Sequence, residues 1–245
     1  MSARVTLATA GRVLLQVRRD HRTAALLLLV PCLLLVLMRY VFDQKPQAFQ
    51  HIGAPLCGLF PFILMFLVTS ITMLRERTTG TLERLMTLPL AKLDLLAGYG
   101  IAFGLLASVQ AGVVCAVGFL ALGLHAPHGA WLVALLAVAN ALLGMALGLF
   151  VSAFAQTEFQ AVQFMPAVVF PQMLLCGLFV ARDAMAPVLY DVSWALPLTY
   201  AYDALQRATR PTALGTALLG DVVVIVAATL ASLALGALTL RRRTA

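Results

Sequence analysis

Charge is scarce in this sequence. Only 11% of its 245 residues are Asp, Glu, Lys or Arg, and the acidic ones number 10. A soluble domain carries about a quarter charged residues and is about half apolar. This chain is 62% hydrophobic, with a mean hydropathy of +0.97. It has too little polar surface to cover a globule in water, which excludes a soluble all-α domain. Cysteine is sparse too. Cys32, Cys57, Cys115 and Cys176 all lie in apolar runs, and no pair has zinc or redox spacing. They read as small hydrophobes. His125 and His128 are separated by Pro127 with no carboxylate nearby, so no metal site is expected. There is no G-x-x-x-x-G-K-[ST] phosphate loop, no G-x-S-x-G and no H-E-x-x-H. An enzyme is therefore not expected. No acid falls mid-span, which counts against an ion-coupled secondary transporter.

Long apolar runs are what the chain does have. A helix crossing ~30 Å of hydrocarbon needs about 20 mostly apolar residues. Six segments qualify, at about 23–42, 54–74, 95–123, 130–153, 160–181 and 216–240. Helices are the default, because lipid offers no partners to backbone groups. The expectation is an all-α polytopic membrane protein, one domain over 1–245. Five arginines precede the first run and no small-x-small site follows it, so a retained span is expected rather than a signal peptide.

The basic residues orient the spans. Twelve of the seventeen Lys and Arg fall in 1–22, 75–94 and 241–243. The others are Arg39, Lys45, Arg182, Arg207 and Arg210. The positive-inside rule then puts both termini and 75–94 in the cytoplasm of a multi-pass cell-membrane protein. This explains the net charge of +7 without nucleic acid. In 1–22, Val5, Leu7, Val13, Leu14 and Val17 alternate with arginines, the pattern of an interfacial amphipathic helix. In 182–215, Tyr190, Trp194, Tyr200 and Tyr202 are headgroup-level residues, and Pro187, Pro197 and Pro211 cut the segment into pieces. Two short interfacial or re-entrant helices are expected there, on the outer side.

The block 75–94, RERTTGTLERLMTLPLAKLD, is the most polar long stretch. Gly80 or Thr81 starts a short helix and Glu83 lies in its first turn. Leu82, Leu85 and Met86 form one stripe, and Pro89 ends the helix. Such a helix either docks on a cytoplasmic partner or is a solvated loop that sets topology.

Three stretches carry a resemblance. RERTTGTLERLMTLPLAKLDLLAGY resembles the first cytoplasmic loop of ABC-2-type exporter permeases, the family that includes daunorubicin-type exporters. Its matching residues are Glu76, Arg77, Gly80, Thr81, Leu82, Glu83, Leu85 and Pro89. Residues 170–206, FPQMLLCGLFVARDAMAPVLYDVSWALPLTYAYDALQ, are similar to the family's last-third signature, and QTEFQAVQF (156–164) to its loop before the fifth span. The resemblance implies six helices, an N-terminal interfacial helix, a coupling helix after span two and short outer helices between spans five and six. It implies ATPase coupling through Arg75, Glu76, Arg77, Gly80, Thr81, Leu82, Glu83, Leu85 and Met86. It also implies a homodimer or heterodimer of permeases on two copies of a separate ABC ATPase, which would hold the ATP and Mg. This chain would bind no cofactor itself. Candidate outer-gate residues are Met173, Gly177, Met185, Pro187, Pro197 and Tyr200.

Asn140, Gly144 and Gly148 put a polar group and a G-x-x-x-G on span four, as a packing or dimer contact. Pro166 and Pro171 should bend span five. Asp221 reads as an interfacial carboxylate. The spans are lined by Leu, Val, Ala, Phe and Met, which suits an amphipathic or lipophilic cargo such as a drug or lipid. No substrate-binding residue is identifiable. A secondary transporter and a non-transporting scaffold of the same fold are the alternatives.

Overall fold

The computed structural model of the protein describes residues 3–80, 92–211 and 214–239. Among them are α1 (Ala3–Arg19), α2 (His21–Val41), α3 (Pro46–Thr78), α4 (Lys92–Ala116), α5 (Ala130–Val151), α6 (Glu158–Leu175), α7 (Pro187–Ser193), α8 (Pro197–Thr209) and α9 (Thr216–Thr239). A π-helical turn, Val117–Ala121, extends α4. No strand occurs among the described residues.

Local chemistry places the helix starts. Asp20 caps α2, accepting from the Thr23 backbone N–H at 3.1 Å and its hydroxyl at 2.6 Å. The Thr157 hydroxyl caps α6 by accepting from Gln160 N–H at 3.2 Å. Pro46, Pro187 and Pro197 open α3, α7 and α8, where a missing N–H costs nothing.

Five described helical stretches are long and apolar enough to cross a membrane: His21–Val41, Pro46–Thr78, Ala97–Ala121, Ala130–Phe154 and Thr216–Thr239. The expected fifth span at 160–181 is not among them. Its helix, α6, stops at Leu175, and Glu158, Gln160, Gln163 and Gln172 dilute its apolar length. The second span also differs. Its helix starts at Pro46 rather than near 54 and runs on through 75–78, so Arg75, Glu76 and Arg77 are helical. The 182–215 segment holds two short helices, α7 and α8.

The centre of the fold is α3 against α5. A Cβ on Gly144 would lie 2.2 Å from the Phe62 carbonyl oxygen, and one on Gly148 would lie 2.3 Å from that of Phe66. The helices therefore touch backbone to backbone, as small residues allow. Phe62 and Phe66 are fully buried in the seam. α4 packs on α5, and α1 lies across the start of α4. Thr6, Thr9, Ala10 and Val13, one face of α1, are buried. Gly98 of α4 admits this face, since a Cβ there would meet Thr9 at 2.6 Å. Leu7 and Leu15, on the other side of α1, are exposed.

Prolines inside the spans strand carbonyls, because a proline has no N–H for the residue four back. Two of these carbonyls are answered by glutamines from other helices. Pro31 leaves the Leu27 carbonyl open, and Gln110 Nε2 of α4 donates to it at 2.9 Å. Pro55 leaves the His51 carbonyl open, and Gln206 Nε2 of α8 donates to it at 3.0 Å. In lipid, where no water is at hand, such repair ties one helix to another.

Candidate functional site

The C-terminal end of α3 is built from three consecutive residues that reach three different helices. Successive side chains on a helix step about 100° around its axis. Arg75 turns to α6, donating to Glu158 at 2.6 and 3.0 Å. Glu76 turns to α1, where Arg12 donates to its two oxygens at 3.1–3.4 Å and Gln16 Nε2 at 3.4 Å. Arg77 turns to the end of α5 and donates to the Ser152 carbonyl at 2.8 Å. Arg12 also donates to the Tyr99 hydroxyl of α4 at 2.6 Å and lies over that ring at 5.7 Å. Five helices thus converge on one short stretch.

Electrostatics follow this geometry. Glu76 is buried, and Arg12 is the cation that answers it. Burial disfavours the Arg12 charge, but hydrogen bonding to Glu76 and the neighbouring Tyr99 outweigh it and hold the guanidinium above its ordinary range. The exposed Glu158 carboxyl is held below the usual range by the hydrogen bonds from Arg75.

Of the residues assigned to coupling, Arg75, Glu76, Arg77 and Gly80 are described. Thr81, Leu82, Glu83, Leu85 and Met86 lie outside the described residues. Gly80, at φ +69, ends the turn after α3 in a conformation that favours glycine. Glu76 is buried against other helices of the chain, and Arg77 is half-buried against the end of α5. Sequence reasoning missed the partners of the junction, Arg12, Gln16, Tyr99, Ser152 and Glu158. The only signal for Arg12 was its place among the arginines of an amphipathic helix. A cavity of about 400 Å³ opens beside this junction, between Gln16, Asp20 and Thr23 on one side and Ile71, Thr72 and Arg75 on the other.

The candidate gate residues gather around α7 and α8. Pro187 and Pro197 begin these helices, and Met173 and Met185 are half-buried. Tyr200 donates to the Trp194 carbonyl at 2.8 Å, and its ring meets Trp194 edge-on, as does that of Tyr190. Gly177 has φ +101, and a Cβ there would lie 3.3 Å from Tyr202. Arg182 pairs with Asp203 and stacks 4.5 Å over Trp194. Burial pushes the Asp203 carboxyl up, partly offset by Arg182. Asp221 of α9 accepts from Arg207 at 2.8 Å. Asn140 is buried near Gly58 and Leu205, and its Oδ1 has no hydrogen-bond partner among the described residues. Gly144 and Gly148 meet α3 of their own chain.

A family profile described as "ABC-2 type transporter" matches residues 4–209, most of the chain. The chain belongs to the ABC-2 type transporter family. This family member is 27% identical over 152 residues to "Probable multidrug ABC transporter permease YbhR" of Escherichia coli (strain K12), covering 62% of this chain and 41% of that one. It is 26% identical over 167 residues to "ABC transporter G family member 20" of Dictyostelium discoideum, covering 68% of this chain and 23% of that one. The match thus spans less than half the length of either relative. The span 4–209 of this ABC-2 protein takes in the Arg12–Glu76 contact of α1, the C-terminal end of α3, and α7 and α8.

Proposed function

We propose that this ABC-2 protein is the membrane-spanning permease subunit of an ATP-driven exporter that moves an amphipathic or lipophilic cargo out of the cytoplasm. The observation that carries the reading is the junction at 75–77. In this reading a push on the segment that follows it passes to α1, α5 and α6 through these contacts. In this proposal two copies of a separate ABC ATPase bind ATP and Mg and close on each other. The segment 75–94 and α1 receive that movement, and two permease copies alternate between inward and outward access. Six spans are proposed, with α6 as the fifth, both termini in the cytoplasm and the protein in the cell membrane. The family membership and the multidrug permease name of the Escherichia coli relative support an exporter. The largely uncovered faces of α2 and α9 support contact with lipid or a second copy.

The test is co-purification with the cognate ATPase, with ATP turnover of the reconstituted pair. Leu82→Asp, Leu85→Asp and Gly80→Pro should abolish retention of the ATPase. Glu83→Ala should weaken it by about 1–3 kcal/mol if the contact is desolvated. Wild-type retention and transport by all four variants would leave 75–94 as a topology signal and sink the coupling assignment.

A further inference from the structure

Outward-facing cations are scarce here: five of seventeen, on the orientation proposed above, on which this inference rests. Three of those five, Arg182, Arg207 and Arg210, line a single cavity of about 200 Å³ with Tyr202, Asp203 and Gln206. Such convergence runs against the charge bias of membrane proteins and calls for a cause. The chain's own acids do not neutralise the cluster. Asp203 answers Arg182 and Asp221 answers Arg207, the latter through Nε. The Arg207 terminal nitrogens and the whole exposed Arg210 guanidinium have no carboxylate partner among the described residues. Three guanidiniums against two carboxylates leave one positive charge over.

Two buried groups in the cavity wall are also unsatisfied. Gln206 is 3% exposed, and while its Nε2 donates to His51 and Tyr202, its Oε1 has no partner among the described residues. Arg182 Nη1 is buried without one among them as well. Buried polar groups are nearly always paired, and two exceptions in the wall of one cationic cavity are consistent with a polar ligand there. The depth of the cavity narrows the choice. Arg182 stacks on Trp194, which meets Tyr190 and Tyr200 edge-on, and such aromatics sit where headgroups lie.

We propose that this cavity binds a phosphate ester, whose oxygens meet Arg210 and the free nitrogens of Arg207 while its hydroxyl or ammonium end faces Gln206. Guanidinium forks suit phosphate oxygens, and a ligand carrying both an anion and a donor would satisfy both kinds of vacancy. Its source is either an outer-leaflet phospholipid or a soluble phosphate ester.

Native mass spectrometry of the full chain, purified in detergent, tests this. Phosphatidylglycerol is titrated in, and soluble glycerol 3-phosphate competes. Wild type should retain the lipid, and Arg210→Glu should lower its affinity by about tenfold. Arg210→Lys should fall between, because it keeps the charge and loses the fork. Lys45→Glu, the same charge change at another exposed outer position, should bind as wild type. Displacement by glycerol 3-phosphate assigns the site to soluble esters; resistance assigns it to lipid. Equal retention by wild type and Arg210→Glu would overturn the site, as would an equal loss with Lys45→Glu. The measurement needs neither ATPase nor orientation, so its failure is separable from failure of the exporter reading. That reading fails if the cognate ATPase is not retained, or if Arg210→Cys escapes labelling from outside.

Discussion

Pro31 shows how one residue in lipid creates work for another. It leaves the Leu27 carbonyl without its helical donor, and Gln110 supplies one from α4 at 2.9 Å. Gln110 is fully buried and spends its amide on this single repair, since its Oε1 has no partner among the described residues. Gln110→Leu should therefore cost about 0.6–2 kcal/mol in a wild-type background. In a Pro31→Ala background the N–H at position 31 closes the helix itself, and the same change should cost far less. Reversible unfolding in mixed micelles measures the double-mutant cycle. Strictly additive costs would show that the glutamine does not answer the proline. Neither residue announces this pairing in the sequence. A glutamine in an apolar run reads as a polar blemish until the partner helix is known.

Whole elements meet where side chains are smallest. Gly148→Ala would drive a Cβ into the Phe66 carbonyl, so α3 and α5 must part along their seam. A loss of about 1–3 kcal/mol is expected. Gly112→Ala on α4 meets nothing within 4 Å and should be neutral or slightly stabilising. Thermal unfolding of the two variants side by side decides the matter; similar melting would refute a backbone contact. The C-terminal end of α3 follows a different logic, in which charge joins helices. Glu76→Gln keeps the shape of the side chain and removes the charge that Arg12 answers. Amide exchange over residues 3–19 should rise about tenfold, equivalent to roughly 1.4 kcal/mol of lost anchoring. Unchanged protection would mean that the packing of Thr6, Thr9, Ala10 and Val13 on α4 holds α1 alone. The spacing of Arg75, Glu76 and Arg77 was legible as a charged block; the 100° step that sends each to a different helix became meaningful only once the neighbours stood around α3.

At the scale of the molecule, the number of crossings turns on α6. Five helical stretches are long and apolar enough, and α6 is short and carries glutamines. In a background lacking Cys32, Cys57, Cys115 and Cys176, an impermeant thiol reagent should label Asp191→Cys from outside intact cells. It should not label Gln156→Cys or Thr79→Cys. Labelling of 156 together with 191 would remove α6 as a span, and labelling of 79 would invert the whole arrangement. Hydropathy alone determined that this chain is helical and built for a membrane, because the cost of burying polar groups in lipid is summed along each segment without regard to neighbours. The family motifs in 75–94 and 170–206 were equally readable, since they lie in consecutive residues. Tertiary structure alone decided that Glu76 faces Arg12, that Gln206 repairs the break at Pro55, and that Arg182, Arg207 and Arg210 share a cavity. Those meetings depend on how each helix is rotated and how far it slides along its neighbour. For α3 and α5 both are set by the contact of Gly144 and Gly148 with the backbone of Phe62 and Phe66, a contact between helices that no local pattern encodes.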